Sequence, residues 1–213
     1  MKERPIIFNG EMIRAILDGR KTQTRRPVKP QPTEYGLVFR RAGVSEKLED
    51  DFYAWEDDGL LLDEHSEDGG PCQRLCPFGV AGDRLWCRET WMAETEQSIP
   101  TGGVIYRATD KPEPDENSPL CWRPSIHMPR EASRITLEIT SVRIERLQEI
   151  TEEDAKAEGI DMDIPLMPHV PGMGATHPSA VFSDLWDSIY AKCGFGWDSN
   201  PYVWVIEFRR VEQ

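Results

Sequence analysis

The chain has 213 residues, five cysteines and a formal net charge of −13. That length suits one domain carrying an insertion, and no stretch approaches the roughly eighteen apolar residues of a membrane span. The start, Met1-Lys2-Glu3-Arg4-Pro5 followed only by Ile6-Ile7-Phe8, has no export segment, and an odd cysteine count (72, 76, 87, 121, 193) speaks against a disulfide framework, so a soluble, cytoplasmic protein with reduced thiols and no membrane partner is expected.

The charge is unevenly spread. Between Val44 and Gly70 eleven acids face the single base Lys47, whereas Arg20 to Arg41 holds seven bases against Glu34 alone. A basic segment on an acidic body suits a small or single-nucleotide-like ligand better than a long duplex, because phosphate neutralisation needs an extended cationic surface.

In chain order, Arg4 to Phe8 reads as a short buried strand. Asn9 then caps a helix with Met12, Ile13, Ile16 and Leu17 on one face, and Gly19 ends it. Lys21 to Arg26 re-extends the chain until Pro27, Pro30 and Pro32 close it. Residues 33–81 read as an insertion, acidic at 44–70, holding a hairpin or two. Gly82-Asp83 is a turn. Arg84 to Trp91 alternates as one strand, with Leu85 and Cys87 on one face and Trp86 and Arg88 on the other, and Val104 to Ala108 is a further strand. Ser133 to Arg146 is the clearest strand; its slipped alternation between 139 and 142 predicts a bulge near Ser141. Thr151 with Asp154 starts a capping-box helix that runs to Glu158 and stops at Gly159. Residues 161–178, rich in Pro, Gly and Met, predict a flexible loop. A helix from Ser179 to about Lys192 shows Phe182, Leu185, Trp186 and Ile189, and Tyr202 to Val211 is a closing strand. These elements predict an α+β domain built on a small, mostly antiparallel barrel or curled sheet with flanking helices.

The strongest chemical signal is Gly19-Arg20-Lys21-Thr22-Gln23-Thr24-Arg25-Arg26. A lysine crowded by arginines has its pKa lowered by like-charge repulsion, and the hydroxyl of Thr24 is one that such a lysine can deprotonate. Positions 21 and 24 point to opposite faces of a regular strand, so the pairing requires Lys21 to sit in the turn after Gly19. The plain alternative is a solvated basic turn with Thr22 and Thr24 satisfying a strand edge.

The run Gly19-Arg20-Lys21-Thr22-x-Thr24-x-Arg26, then Gly82-Asp83-Arg84-x-Trp86-x-Arg88-Glu89, then Ile150-Thr151-Glu152-Glu153-Asp154-Ala155-x-x-Glu158-Gly159-Ile160, and finally Tyr202 to Phe208 together resemble the ASCH domain of the PUA-like barrel superfamily. The segments Cys76-Pro77-Phe78-Gly79, Glu89-Thr90-Trp91 and Trp122 to Pro129 are similar to its longer phage and prophage members. The resemblance implies a PUA-like barrel and one of two functions: RNA binding, or hydrolysis of the amide of 4-acetylcytidine. For the hydrolase it implies Lys21 as base, Thr24 as nucleophile and Glu158 as acid/base. Arg20, Thr22, Arg26, Arg88, Glu89, Trp91, Ser125 and His127 are the expected substrate contacts, with Arg26 or a backbone N–H near Gly19 as oxyanion donor.

Glu89 is expected either to orient Lys21 or pair with Arg26, or to form a surface ion pair. Trp86, Trp91 and Trp122 can stack a base, although tryptophans of a barrel are mostly core. Cys72 and Cys76, with Cys87 and Cys121, are weak zinc candidates lacking a second close pair, and no cofactor or metal is expected. The expected partner is a nucleoside or RNA; a host protein bound through the acidic insertion is a further alternative.

Overall fold

The computed structural model describes residues 1–31, 60–63, 72–93, 103–110, 121–160 and 177–211. Most of the acidic segment 44–70 and of the expected loop 161–178 therefore lies outside the described residues.

Strand β1 (Glu3–Ile7) leads into helix α1 (Gly10–Leu17), whose Met12 N–H donates to the side chain of Asn9 at 2.8 Å. The helix ends as its sequence requires. Asp18 is the cap, Gly19 takes φ +75°, and the N–H groups of Gly19 and Arg20 fold back onto the carbonyls of Ile16 and Ala15. This left-handed stop is cheap only for glycine and turns the chain out of the helix toward β2 (Gln23–Pro27).

Five strands form the main sheet in the order β1, β5 (Arg84–Arg88), β8 (Thr136–Arg146), β9 (Tyr202–Val211), β2. Only β1 and β5 run parallel; the other pairings are antiparallel. Between Ile139, opposite Phe208, and Ser141, opposite Glu207, the β8–β9 register shifts, which is the expected bulge. Two small hairpins complete the described strands: β3 (Leu60–Asp63) with β4 (Cys72–Leu75), and β6 (Trp91–Ala93) with β7 (Val104–Tyr106).

Both faces of the sheet are covered, which explains why β9 reads as a nearly unbroken apolar run. Trp204, Ile206 and Phe208 join Ile6, Phe8, Ile13 and Ile16 in one core. Val203 and Val205 pack on the other side against Phe182, Trp186 and Ala155 of helices α3 (Pro178–Tyr190) and α2 (Glu152–Ala157). Each large apolar side chain so buried contributes about 1.5–3 kcal/mol. Edge strands β1 and β2 approach each other closely enough for Arg26 Nη2 to donate to the Ile7 carbonyl at 2.6 Å. Among the described residues no backbone ladder closes that gap.

The expected strand from Arg84 to Trp91 is instead two elements. Chain direction changes after Arg88 because Glu89 turns inward to Arg134, while Trp91 exchanges two backbone hydrogen bonds with Arg123. The turn before β5 is tied down by Asp83, which accepts from the Lys2 N–H and the Arg4 guanidinium, each at 2.7 Å.

Those hydrogen bonds, led by that of Arg4, hold the Asp83 carboxyl below its ordinary range. A depressed carboxylate contributes stability above the unfolded-state pKa and loses it as pH falls through the folded value. The stability difference between wild type and Asp83→Asn, measured by chemical denaturation, is therefore expected to be full at neutral pH and to shrink on acidification below the ordinary aspartate range.

Candidate functional site

Helices α1 and α2 end side by side. Thr151 accepts from the Asp154 N–H, Asp154 reaches back to the Thr151 N–H, and six helical residues later Glu158 is the C-cap, followed by Gly159 at φ +85°. Lys21 forms an isolated antiparallel bridge with Glu158, and the Thr22 N–H donates to the Ala157 carbonyl at 2.9 Å. Lys21 thus sits between the Gly19 turn and the start of β2. A Cβ on Gly159 would lie 2.8 Å from Ala15 Cβ and 2.9 Å from Lys21 Cβ, so the approach of the two helix ends depends on glycine at that position.

Lys21 Nζ donates to Glu158 Oε2 at 2.7 Å and to the Glu158 backbone carbonyl at 2.8 Å. The two side chains are 0% and 3% exposed, so this is a buried ion pair and not a solvated turn. Burial is the main force pushing the Lys21 pKa down; the Glu158 carboxylate opposes it, and Arg26 and Arg25 add smaller downward pushes. The direction matches the sequence expectation, but desolvation outweighs arginine crowding as its cause.

Glu158 lines two cavities, together with Asn9, Met12 and Leu185. The smaller, about 190 Å³, lies in the gap between edge strands β1 and β2. Ile7, Thr24, Arg25 and Arg26 line it along the strands, Asn9 and Met12 at the start of α1, and Phe182, Leu185, Trp186, Ile189 and Tyr190 along α3. The larger, about 510 Å³, adds Glu11, Arg14, Asp18, Arg20, Gly159, Ile160 and Val181 to those shared residues. Glu158 Oε1 is buried and has no hydrogen-bond partner, with Arg25 Nη1 3.6 Å away. β2 is an edge strand bordering the gap, and its consecutive residues Thr24, Arg25 and Arg26 all line the smaller cavity. Lys21 lies behind Glu158 and does not itself line either cavity.

Arg26 donates to the Tyr190 hydroxyl at 3.1 Å and to Ile7, while its Nε is buried without a partner. Arg20 is exposed, donating to the Gly159 carbonyl and to Asp18, and Thr22 is exposed beside it.

The remaining expected contacts fall elsewhere. Glu89 is 2% exposed and is gripped by Arg134 at 2.9 and 3.0 Å, so it is neither a surface pair nor a partner of Lys21 or Arg26; burial pushes its pKa up. Trp91 is core, packed with Met128 and Ala132. Arg88 stacks over Trp86 at 4.7 Å. Ser125 and His127 occupy a short 3-10 turn (Ser125–His127), with His127 exposed, and neither lines the two cavities at Glu158. Cys76 and Cys87 are buried free thiols, with burial raising Cys76 to about 11. Among the described residues no cluster of three or more metal-ligating side chains occurs.

Sequence reasoning missed Arg25. Its side chain is 0% exposed and pairs with Glu145 at 2.8 Å and Asp154 at 3.1 Å, tying β2 to β8 and α2 behind Glu158. Lys21, Gln23, Thr24 and Arg25 are all buried, the reverse of what a solvated strand edge gives, and nothing in the run itself signals it.

No protein-family model matches the chain, and neither a curated protein nor a solved structure matches it. Among the described residues no helix is long and apolar enough to cross a membrane.

Replacing Gly159 by alanine strains the backbone and drives a methyl into Lys21 and Ala15. It is expected to cost about 1–3 kcal/mol in denaturant unfolding, against a few tenths for alanine at a surface site.

Proposed function

We propose that the chain is an ASCH-type, PUA-like amidohydrolase that cleaves the acyl group from an N4-acylated cytidine-type nucleoside. The observation that carries this reading is the buried Lys21–Glu158 contact beside a cavity that Thr24 and Glu158 both line. Supporting the barrel is the approach of edge strands β1 and β2, spanned by Arg26.

In low dielectric, a lysine and carboxylic acid that share a proton are close in energy to the ion pair they replace, since burial penalises both charges. In the neutral form, the Lys21 lone pair takes the Thr24 hydroxyl proton as Oγ1 bonds to the acyl carbon, and the carbonyl oxygen becomes an oxyanion facing Arg26 Nε. Collapse breaks the C–N bond, and the leaving amine takes a proton from Glu158 Oε1, leaving Lys21 protonated and Glu158 ionised. Water then attacks the acyl-threonine ester and gives its proton to Glu158. Expulsion of the Thr24 oxygen takes the proton back from Lys21, releasing the carboxylic acid and restoring both groups.

Walls that are mostly apolar with a few polar groups suit a small organic ligand. The RNA-binding reading of the same domain draws less support, because Arg25 and Arg143 are committed to Glu145, Asp154 and Glu207 and not to a phosphate track. Host-protein binding through 44–70 rests on residues outside those described.

Purified protein with N4-acetylcytidine, followed by chromatography, is expected to release cytidine and acetate. Lys21→Ala and Thr24→Val should each lose about 10²–10⁴-fold in kcat, with Thr24→Ser retaining part of it. The working pair carries one shared proton, so the rate should fall with rising pH as that proton is lost, at a midpoint below the ordinary lysine value because burial disfavours the Lys21 charge. Absence of turnover, or full turnover by Lys21→Ala, contradicts the reading.

A further inference from the structure

Arg25 carries a charge inside the protein, its side chain 0% exposed, on strand β2 beside Thr24. Its Nη2 is taken up by Glu145 at 2.8 Å and Asp154 at 3.1 Å. Those two acids have a second partner, because Arg143 reaches Glu145 at 2.5 Å and Asp154 at 3.3 Å. The tie between β8 and α2 is thus also made by Arg143, and burying a second cation only to repeat it would cost desolvation for little return. The rest of the Arg25 guanidinium lies elsewhere. Nη1 is 3.6 Å from Glu158 Oε1, the carboxylate oxygen without a hydrogen-bond partner, and Arg25 Nε is itself buried without one.

That separation is too long for a hydrogen bond and short enough for a strong charge interaction away from water. With Lys21 on Oε2, Glu158 stands between two cations, one at each oxygen. A positive charge so placed disfavours a proton on the pair, whichever member carries it. Other charges surround the pair. Beyond burial, the main downward push on Lys21, Arg26 and Arg25 both act on it, but Arg26 is turned to the Ile7 carbonyl and the Tyr190 hydroxyl of α3. Glu145 and Arg143 of β8, Glu207 of β9 and Asp154 of α2 form the network behind Arg25. On the α1 side Glu11 and Asp18 offset Arg14 and Arg20. Removing Arg25 therefore leaves the pair facing an excess of carboxylates, and its proton is held more tightly.

We propose that Arg25 is a positioning residue for the Lys21–Glu158 pair: its charge, held beside Glu158 Oε1, loosens the proton that the pair shares and so readies it for transfer to the leaving amine. The proposal rests on the amidohydrolase reading for where that proton goes. Arg25 acts through Glu158 and touches no reacting atom.

The test compares wild type, Arg25→Gln, which loses the charge and keeps a hydrogen-bonding side chain, and Arg25→Lys, which keeps the charge. Two readouts are taken: the pH profile of kcat on N4-acetylcytidine, and the titration of Lys21 Nζ by ¹⁵N NMR, which needs no turnover. In Arg25→Gln the Lys21 midpoint and the falling limb of the rate are both expected to move up by about one unit or more, and the plateau rate to fall by about threefold or more as the pair becomes a weaker acid. Arg25→Lys should stay near wild type in both midpoints. A lowered rate with unmoved midpoints, or Arg25→Lys behaving as Arg25→Gln does, reduces Arg25 to a structural tie and overturns the proposal while leaving the hydrolase reading intact. If no variant or wild type turns over, the hydrolase reading falls, and the Lys21 titration alone decides whether Arg25 governs the pair. Should circular dichroism show Arg25→Gln unfolded, the wild-type protein supplies the answer: the Arg25 Nε resonance, assigned through the backbone, should shift with the Lys21 midpoint, and an Nε signal indifferent to that titration overturns the proposal.

Discussion

Two short helices stop within a side chain of one another, each because a glycine takes a left-handed turn, and the gap between their ends is filled by the Lys21 ammonium and the Glu158 carboxylate. Burying both charges costs several kcal/mol per ion before their attraction and the added hydrogen bond to the Glu158 carbonyl offset it. Removing one partner would leave the other stranded, whereas a pair of well-packed apolar residues would hold the helix ends at least as firmly. Stability alone is thus a weak reason for the pair, and a buried ion pair bordering a cavity is an arrangement often found at functional sites. The surroundings are organised to keep it so. Arg25 fixes α2 against the sheet through Asp154 and Glu145, and Gly159 permits contact that any other residue would obstruct.

The charge distribution changes meaning once folded. The basic stretch near Lys21 suggested an anion site, but its central arginine, Arg25, is neutralised inside the protein by acids from β8 and α2, and Arg143 extends that network to Glu207. What faces the smaller cavity is mainly the aromatic and aliphatic stripe of α3, with Asn9, Thr24, Arg25, Arg26 and Glu158 among the polar residues. An uncharged ligand of modest size fits that balance better than a polyanion.

Local signals in the sequence were reliable where one residue type decides the geometry. Asn9 and Thr151 marked helix starts, Gly19 and Gly159 marked stops, and the broken alternation around Ser141 marked the bulge. Strand β9 was legible to the residue because its alternate side chains feed two separate cores. Legibility failed where partners are distant in sequence. Glu89 ends β5 by turning to Arg134, 45 positions away, and nothing near it predicts that. The Phe182, Leu185, Trp186 and Ile189 stripe was visible as a helix face, but its role as a cavity wall follows only from the gap between β1 and β2. Lys21 and Thr24 stood out as a crowded lysine beside a hydroxyl, although spacing alone favoured a solvated turn, and Glu158 was named only through resemblance. Ser125, His127 and Trp91 were named the same way, and the fold places them away from Glu158.

The most direct measurement is a ¹⁵N NMR titration of the lysine side chains in the intact protein, with Lys21 assigned by Lys21→Arg. Lys21 Nζ is expected to titrate below the other lysines, and Glu158→Gln should move it lower still, since the carboxylate that favours its charged form is gone. A Lys21 signal that titrates together with the surface lysines, and that Glu158→Gln leaves in place, would contradict the buried pair and everything built on it.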